Sequence, residues 1–528
     1  MIKQPPSIFN DVIGPIMRGP SSSHTAAAVR IGRLVRQMIK GKIKEVLVEF
    51  EPQGSLATTY HGQGSDIGFV SGLLGYELWD DELKDSLDEA VKRGILIRFG
   101  VADFEACHPN TYKISTLDDH NERISLMAIS VGGGMIEVQM INGLSVNIAG
   151  DFFETVLFFE PIHAELLNNY KAVIEQTISN IEYIEDSIIN NHGLINIKTY
   201  HKLLENDILR LYELPNIRSI IQLEPVLPIQ SKKHCLVPFS NAQEMLDLGI
   251  KQNLEPWELA VLYESARGSL SQEEVFEKMN NIVKLMCNAI EQGLKGTVFE
   301  DRILGPQAWM VDKANREAKL IPTGVLNRIT SYITAIMEVK SSMGVIVAAP
   351  TAGSCGGLPG TIIGTAKEMS KSAEEITKAM LTAGIIGVFI ANRSGFAAEV
   401  SGCQVECGAS SGMAAAGLVQ LMGGTVQQTI DSASMALQNI LGMVCDPVAG
   451  RVEVPCLGKN VMAGFNAVAC ANMIIAGFDK VIPLDETLVA MDQVGRMLPL
   501  ELRCTGYGGL STTETSQKIY NRLNRRLD

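Results

Sequence analysis

The sequence predicts an α+β protein of several domains, with an amino-terminal α/β domain followed by an all-α domain. Apolar residues recur at helical spacing over 26–38 and alternate at strand spacing over 43–50, and glycines 132–134 separate two strand patterns that fit a hairpin. From residue 241 onward the periodicity is almost wholly helical and rich in Ala, Met and Gly. A chain of 528 residues is too long for one core, so we expect two or three domains.

Shifts in composition predict the domain boundaries. The middle of the chain is more charged and richer in Asn and Ile, with helical periodicity over 166–184. Pro225, Pro228 and the Lys232-Lys233 pair that follow them indicate a linker. We therefore divide the chain into an α/β domain at 1–150, a middle region at 151–230 and an all-α domain at 231–528.

Charge and hydropathy exclude several classes of protein. The net charge of −14 argues against a general nucleic-acid binder, since phosphate recognition needs clustered Lys and Arg. Two long uncharged stretches raise the question of a membrane span, but prolines and glycines predict loops at 344–366, and asparagines mark 460–478 as a buried helix. The first residues lack a signal-peptide pattern, so we expect a cytoplasmic protein with no membrane partner.

The first motif that could carry chemistry is Gly19-Pro-Ser-Ser-Ser-His-Thr25, directly before the first helix. Hydroxyl side chains there can cap the helix, and its free N–H groups attract an anion, with His24 as a titratable donor. A plain helix cap with a surface histidine is the alternative.

The second motif, Gly54-Ser-Leu-Ala-Thr-Thr-Tyr-His-Gly-Gln-Gly-Ser-Asp66, combines glycines with two titratable groups, His61 and Asp66. It is not a dinucleotide-binding fingerprint, because Ile67 stands where the third glycine belongs. A lone histidine is more often structural than catalytic, so this motif alone is weak.

The third motif is Ala348-Ala-Pro-Thr-Ala-Gly-Ser-Cys-Gly-Gly-Leu-Pro-Gly360. Backbone N–H groups in such a loop can form an anion-binding nest. An ordinary turn between helices is the alternative interpretation.

The fourth motif is a set of cysteines near the end of the chain, with Cys403, Cys445 and Cys456 as its centre. Pro447 and Gly450 place a turn between the last two, so two thiols can converge from one loop. Three protein thiolates would leave one iron of a cubane cluster unligated. Because no CxxC pair is present, the alternative to a metal site is that these cysteines are small buried residues of the core.

Taken in order, these four motifs resemble the iron–sulfur L-serine dehydratases, over about residues 9–150 and 240–515. Met413-Ala-Ala-Ala-Gly417 and the segment from Cys445 to Cys456 strengthen the resemblance. It implies that 1–150 is the β-type substrate-assisting domain and 231–528 the all-α iron–sulfur catalytic domain. It also implies that 151–230 is a degenerate ACT-like or linker region.

The resemblance further implies a [4Fe–4S] cluster held by Cys403, Cys445 and Cys456. The free iron would act as a Lewis acid on the hydroxyl of L-serine, giving pyruvate and ammonia. Neither pyridoxal phosphate nor a nucleic-acid partner is expected, and we expect a homo-oligomer.

The resemblance also implies the remaining site residues. The catalytic candidates are His61, His24, Gln63 and Asp66. The candidates for binding the substrate are Ser21, Ser22, Ser23, Thr25, Thr351, Ala352, Gly353, Ser354 and Asn392.

Two features depart from the family pattern. The family carries Gly-His-Gly-Thr-Asp in the second motif, whereas this chain has Gln63 at the histidine position and His61 two residues earlier. His61 is therefore our first candidate for the base and His24 the second. Some members end in a cysteine that covers the cluster, but this chain ends at Asp528, and Cys504 lies too far upstream to be assigned that role.

Two other functions stay open at this point. Gln63 is compatible with a related iron–sulfur lyase that acts on another β-substituted amino or hydroxy acid. A non-catalytic serine-sensing protein is the other alternative, and the intact set of three cysteines argues against it.

Overall fold

The structure of the protein is a computed structural model that describes residues 4–524. The strands of its amino-terminal part are β1 (Ile16–Met17), β2 (Ile43–Phe50), β3 (Leu96–Val101), β4 (Thr111–Asp118), β5 (Arg123–Gly132), β6 (Met135–Ile141) and β7 (Leu144–Ile148). The helices of this part are α1 (Ala27–Met38), α2 (Leu56–Thr59), α3 (Ser65–Leu74) and α4 (Ser86–Lys92). Helix α1, strand β2 and the hairpin of β5 and β6 lie where the periodicity predicts them.

Six of these strands form one mixed sheet in the order β3-β2-β4-β5-β6-β7. Strands β2 and β3 are parallel, and the other neighbouring pairs are antiparallel. Helices α1 and α3 pack against each other so closely that a Cβ on Gly72 would lie 2.0 Å from the carbonyl oxygen of Val29. A Cβ on Gly68 would likewise lie 2.5 Å from the carbonyl oxygen of Thr25, so the starts of both helices, and the two motifs that precede them, lie side by side.

The middle region forms a second sheet. Its elements are β8 (Phe153–Phe159), α5 (Ala164–Thr177), β9 (Ile181–Ile189), β10 (His192–Thr199), α6 (Glu205–Tyr212) and β11 (Ile217–Leu223). The strands are antiparallel in the order β11-β8-β10-β9, and the βαββαβ succession is that of the ferredoxin-like motif. The helix predicted over 166–184 is correct only to Thr177, because β9 already begins at Ile181.

The carboxyl-terminal part is helical apart from one two-residue strand, β12 (Ile346–Val347), which pairs with β1 and joins the two parts of the chain. Its helices are α7 (Ala242–Gln252), α8 (Pro256–Gly268), α9 (Gln272–Lys295), α10 (Ala308–Arg316), α11 (Val325–Ser341), α12 (Gly357–Glu368), α13 (Ala373–Arg393), α14 (Ala398–Ser401), α15 (Cys407–Leu421), α16 (Val426–Gln438), α17 (Cys456–Ile475), α18 (Leu484–Met497) and α19 (Glu514–Asn524). The prediction of loops over 344–366 is wrong in its second half, where α12 begins. Within residues 4–524, no helix combines the length and the hydropathy that a membrane span requires.

Helices α13 and α15 lie at the centre of the helical part and are buried on nearly all sides. Small residues permit this packing: a Cβ on Gly417 would lie 2.4 Å from Ile362 Cδ1. Cys407 and Cys456 are the first residues of α15 and α17, so the cysteine motif lies at the amino-terminal ends of two core helices. The predicted α+β class is confirmed. Residues 525–528, the chain end considered above, lie outside the described residues.

Candidate functional site

The serine-rich motif joins the two parts of the chain. It forms a single π-helical turn, Ser22–Ala26, that continues into α1. Ser22 Oγ accepts the backbone N–H of Ala352 (3.1 Å). Ser23 Oγ donates to Glu399 Oε1 (2.7 Å). Two of the three serines therefore reach loops of the helical part.

His24 is fully buried at this junction. Its Nδ1 lies 3.1 Å from the Oγ atoms of both Ser21 and Ser23. Its Nε2 lies 2.8 Å from Thr59 Oγ1. Burial lowers the pKa of His24 to about 4, and the nearby charge of Glu399 opposes this shift only in part. The imidazole is therefore neutral at neutral pH, and the alternative of a surface histidine is wrong.

The glycine-rich motif packs directly against the serine-rich one. Thr25 Oγ1 donates to the carbonyl oxygen of Gln63 (2.8 Å). Gly64 has a φ of +76°, and a Cβ there would lie 2.8 Å from the Thr25 hydroxyl, so only glycine fits. Gln63 is buried, and its Nε2 donates to the Sγ of Cys504 (3.5 Å).

His61 points away from Gln63. Its Nδ1 lies 2.5 Å from Asp66 Oδ2, and this hydrogen bond raises the pKa of the imidazole. The ring lines a cavity of about 340 Å³ together with Arg451 and Tyr520. In the part of the chain that the structure describes, none of the hydrogen bonds or ion pairs of His61 reaches a cysteine. Gln63, not His61, therefore contacts a cysteine thiol, that of Cys504.

The third motif contacts the cysteine motif through hydroxyls and backbone. Thr351 caps a short 3₁₀ turn, Ala352–Ser354, and donates from Oγ1 to Glu406 Oε1 (2.7 Å). A Cβ on Gly353 would lie 3.1 Å from the same carboxyl oxygen, so glycine permits the close approach. Asn460 Nδ2 donates to the carbonyl oxygen of Gly353 (2.9 Å) and fixes this turn to helix α17.

Cys403, Cys445 and Cys456 converge in the interior, each at most 2% exposed. The Cys403 thiol lies within hydrogen-bond range of both other thiols, and its Sγ lies 3.6 Å from Glu406 Oε2. The ligand atoms of Cys403, Glu406 and Cys445 all lie within 4.8 Å of one another. Hydrogen bonding to Cys403 and burial raise the pKa of the Cys456 thiol, so a bound cation would have to replace these protons. This donor set fits a metal ion or an iron–sulfur cluster.

A fourth thiol, that of Cys504, lies beside Cys445. The backbone N–H of Cys504 donates to the carbonyl oxygen of Cys445 (2.8 Å), and the two thiols are within hydrogen-bond range. Cys504 is 2% exposed and packs with Ala398 and Cys403. Its distance along the chain therefore does not separate it from the site, contrary to the inference from sequence.

Two carboxyl groups that the sequence analysis missed face the same interior. Glu399 lies on α14 and Glu406 directly before α15. Burial, followed by the negative charge of Glu399, raises the pKa of Glu406 to about 7. Glu399 and Glu406 lie four residues before and three residues after Cys403, so their proximity in sequence to this cysteine was the available signal.

Two ammonium groups, which no sequence pattern indicated, hold the segment around Cys445 and Cys456, and that of Lys340 is fully buried whereas that of Lys459 is partly exposed. Lys340 Nζ donates to the carbonyl oxygen of Val452. Lys459 Nζ donates to Asp446 Oδ1 (3.0 Å) and to the carbonyl oxygen of Val444. These cations would offset the negative charge of thiolates.

Asn392 is the one substrate-binding candidate that the structure places elsewhere. It is exposed at the end of α13 and lines a surface cavity with Ser240 and Asp485. The serine-rich, glycine-rich, third and cysteine motifs meet one another in the buried junction between the sheet and the helices.

Comparison with known proteins gives the same two-part division. Residues 12–140 match the family described as serine dehydratase beta chain, and residues 251–511 match serine dehydratase alpha chain. The chain is 34% identical over 285 residues to the probable L-serine dehydratase alpha chain of Bacillus subtilis, which covers 54% of this chain and 95% of that protein. It is also 34% identical over 219 residues to the probable beta chain of the same organism, covering 41% and 97%.

A relative of similar architecture is the L-serine dehydratase of Haemophilus influenzae. It is 26% identical over 509 residues, which are 93% of this chain and 96% of that protein. The chain belongs to the serine dehydratase family, with the beta-chain and alpha-chain regions fused in one polypeptide.

Proposed function

We propose that this protein is an L-serine dehydratase, a lyase that converts L-serine to pyruvate and ammonia. The observation that carries the proposal is the convergence of three buried thiols with the hydroxyl-rich loops of Ser22 and Thr351 at one junction. The names of the B. subtilis and H. influenzae relatives support the same substrate.

Cys403, Cys445 and Cys456 would hold a [4Fe–4S] cluster. When bound, the cluster supplies a Lewis-acidic iron that makes the substrate hydroxyl a better leaving group. Free thiols in the described chain, together with the cations of Lys340 and Lys459, support this assignment.

The chain's own residues would position the substrate and move its proton. The serine-rich turn of Ser21, Ser22, Ser23 and Thr25 and the third-motif residues Thr351, Ala352, Gly353 and Ser354 would form the walls of the substrate site. A base removes the Cα proton while the hydroxyl leaves as water, and the resulting aminoacrylate tautomerises and is hydrolysed to pyruvate and ammonium.

His61 remains our first candidate for the base, supported by Asp66. The loop of His61 contacts the turn between Cys445 and Cys456, since a Cβ on Gly62 would lie 3.3 Å from the carbonyl oxygen of Gly450. His24 is the second candidate, because its imidazole is neutral at neutral pH, although its pKa of about 4 makes it a weak base.

The orientation of Gln63 supports a second candidate function. Its amide contacts the Cys504 thiol, at the position where the family pattern has a histidine. A related lyase that acts on another β-substituted amino or hydroxy acid would fit this change.

We also propose that the three regions 1–150, 151–230 and 231–528 are separate units and that the middle one is an ACT-like module. The βαββαβ order of the middle region supports this assignment. A cytoplasmic location and a homo-oligomeric state belong to the same proposal and can be tested by cell fractionation and gel filtration.

The test is anaerobic purification followed by a pyruvate assay with L-serine and an iron analysis. Cys403→Ser, Cys445→Ser and Cys456→Ser should each abolish activity and lower the iron content. Cys470→Ser, a buried thiol on α17 that bonds to Asn439 and not to the other thiols, is the matched control and should keep both. Full iron content in any of the first three variants would remove that cysteine from the ligand set, and colourless wild-type protein without pyruvate formation would contradict the proposal.

A further inference from the structure

Glu399 is a buried carboxylate whose charge has no partner. It is 3% exposed, and its Oε1 accepts one hydrogen bond, from Ser23. Its Oε2 is buried and has no hydrogen-bond partner among the described residues. A buried carboxylate normally has several donors or a cation, because an uncompensated charge is costly in the interior.

The nearby histidine does not supply that cation. Thr59 Oγ1 donates its only hydrogen to the carbonyl oxygen of Ser55 (2.6 Å), so it must accept from Nε2–H of His24. The other ring nitrogen, Nδ1, lies among the serine hydroxyls, 3.6 Å from the Glu399 carboxylate. Complete burial keeps this nitrogen unprotonated at neutral pH, which is consistent with the lowered pKa of His24.

No other cation takes its place. Within residues 4–524, no lysine or arginine forms an ion pair with Glu399, whereas Lys340 and Lys459 are bonded to the cysteine loop. The second carboxyl, that of Glu406, faces Glu399 closely enough for the two charges to repel. The Glu399 carboxylate therefore has no cation among the described residues.

Buried polar atoms without a partner also occur on β5 and in the residue before β4. Ser130 Oγ and both amide atoms of Asn110 are buried without a partner among the described residues. The backbone N–H of Ser130 donates to the carbonyl oxygen of Asn110 (3.1 Å), and Gly132 forms a β-bridge with Phe396, three residues before Glu399.

We propose that Glu399 binds the ammonium group of the amino-acid substrate through its free Oε2. The inference rests on the proposed function. An α-amino acid such as L-serine would bring one cation, its ammonium group, to Glu399 while its hydroxyl occupies the neighbouring site. The hydrogen bond from Ser23 orients the Glu399 carboxylate. By binding the ammonium group, Glu399 selects amino acids over the corresponding carboxylic acids.

The test compares two ligands that differ only at the ammonium group, L-alanine and propanoate. Neither has a hydroxyl to eliminate, so their dissociation constants can be measured by calorimetry or ligand-observed NMR on anaerobic holoenzyme without turnover. Wild-type protein should prefer L-alanine by roughly 10-fold or more, the range for a charge-assisted hydrogen bond. Glu399→Gln should reduce this preference to about 3-fold or less and leave the affinity for propanoate, the iron content and the visible spectrum unchanged.

Glu264→Gln is the matched control. Glu264 is also fully buried, accepts from Ser7 Oγ and the backbone N–H of Ile8, and lies on α8 away from the cysteines. Its pKa is raised to about 7 by burial, so glutamine imitates the protonated form that it already populates. This variant should keep the full preference for L-alanine.

Several results would overturn the assignment. An undiminished preference in Glu399→Gln would exclude the carboxylate, and equal loss of both ligands would mean that Glu399 only supports the serine-rich turn. Wild-type protein with no preference would exclude ammonium recognition altogether. If Glu399→Gln does not fold, Glu399→Asp decides: it should weaken the preference several-fold, and an unchanged preference would count against Glu399. Wild-type protein that binds L-alanine but forms no pyruvate from L-serine would contradict the proposed reaction and leave the role of Glu399 intact.

Discussion

The protonation state of His24 leads to a specific prediction for the pH dependence of stability. The pKa of His24 is lowered from 6.5 to about 4 by burial. Because the folded state binds this proton less well than the unfolded state, the stabilisation is present above pH 6.5 and is lost as the pH falls towards 4. From these two pKa values, wild-type protein should lose about 2 kcal/mol of unfolding free energy between pH 7.5 and pH 5.0 through this one group.

The perturbation is His24→Asn, which removes the titrating ring. Other buried groups also titrate: Glu264 and Glu406 have pKa values raised to about 7, so each adds stability as the pH falls. These contributions are common to both proteins and cancel in the difference between them. The advantage of wild-type protein over His24→Asn should therefore shrink by about 2 kcal/mol between pH 7.5 and pH 5.0.

The assay is urea unfolding followed by circular dichroism at the two pH values. Protein freed of iron is used, so that loss of a cluster at acid pH does not contribute. A difference that stays constant with pH would refute the reasoning, because His24 would then be as easily protonated in the folded as in the unfolded state. A His24 side chain that is protonated in the folded state would be able to serve as the cation for Glu399.

Further predictions concern the proposed base and the helix packing. His61→Ala should lower kcat by at least about 10²-fold at unchanged iron content, and normal kcat would exclude His61 as the base. Asp66→Asn removes the negative charge and weakens the hydrogen bond that raise the pKa of His61, so the acid limb of the kcat/KM profile should move to lower pH. Gly72→Ala places a Cβ 2.0 Å from the carbonyl oxygen of Val29 and should lower the unfolding free energy by about 1–3 kcal/mol in urea titrations, whereas unchanged stability would mean that α1 and α3 can separate.

Local patterns predicted much of the fold, and they failed where the structure depends on partners far away in sequence. Helix α1 and strand β2 lie within one residue of their predicted bounds, because each carries its own period of apolar residues. Periodicity does not indicate the second sheet, because β8 and β10 are buried at nearly every residue and β9 is half-buried along most of its length, so none of the three shows a clean alternation. Only the family resemblance implied an ACT-like or linker region there, and the helical period wrongly extends a helix into β9. The loop prediction fails at α12 because Gly357, Pro359 and Gly360 occur in its first turn, where a helix tolerates them.

For the candidate site, too, residue types could be predicted from the sequence, whereas their orientation depends on partners far away in the chain. The sequence identified the Cys403, Cys445 and Cys456 set, the serine-rich turn and the third motif, because these residue types are recognisable without knowledge of their neighbours. It ranked His61 above Gln63 by residue type alone. The structure turns Gln63 towards the Cys504 thiol, directly before Gly64 with its positive φ.

By itself, the sequence determined the class of fold, the family resemblance and the residue types able to ligate iron. Only the tertiary structure brought Cys504 beside Cys445 and left Glu399 buried without a cation. The physical reason is that hydrophobic periodicity encodes local structure, whereas a charge's environment depends on groups brought together by packing across the whole chain. For Glu399, those groups are a serine hydroxyl from residue 23 and a neutral imidazole from residue 24.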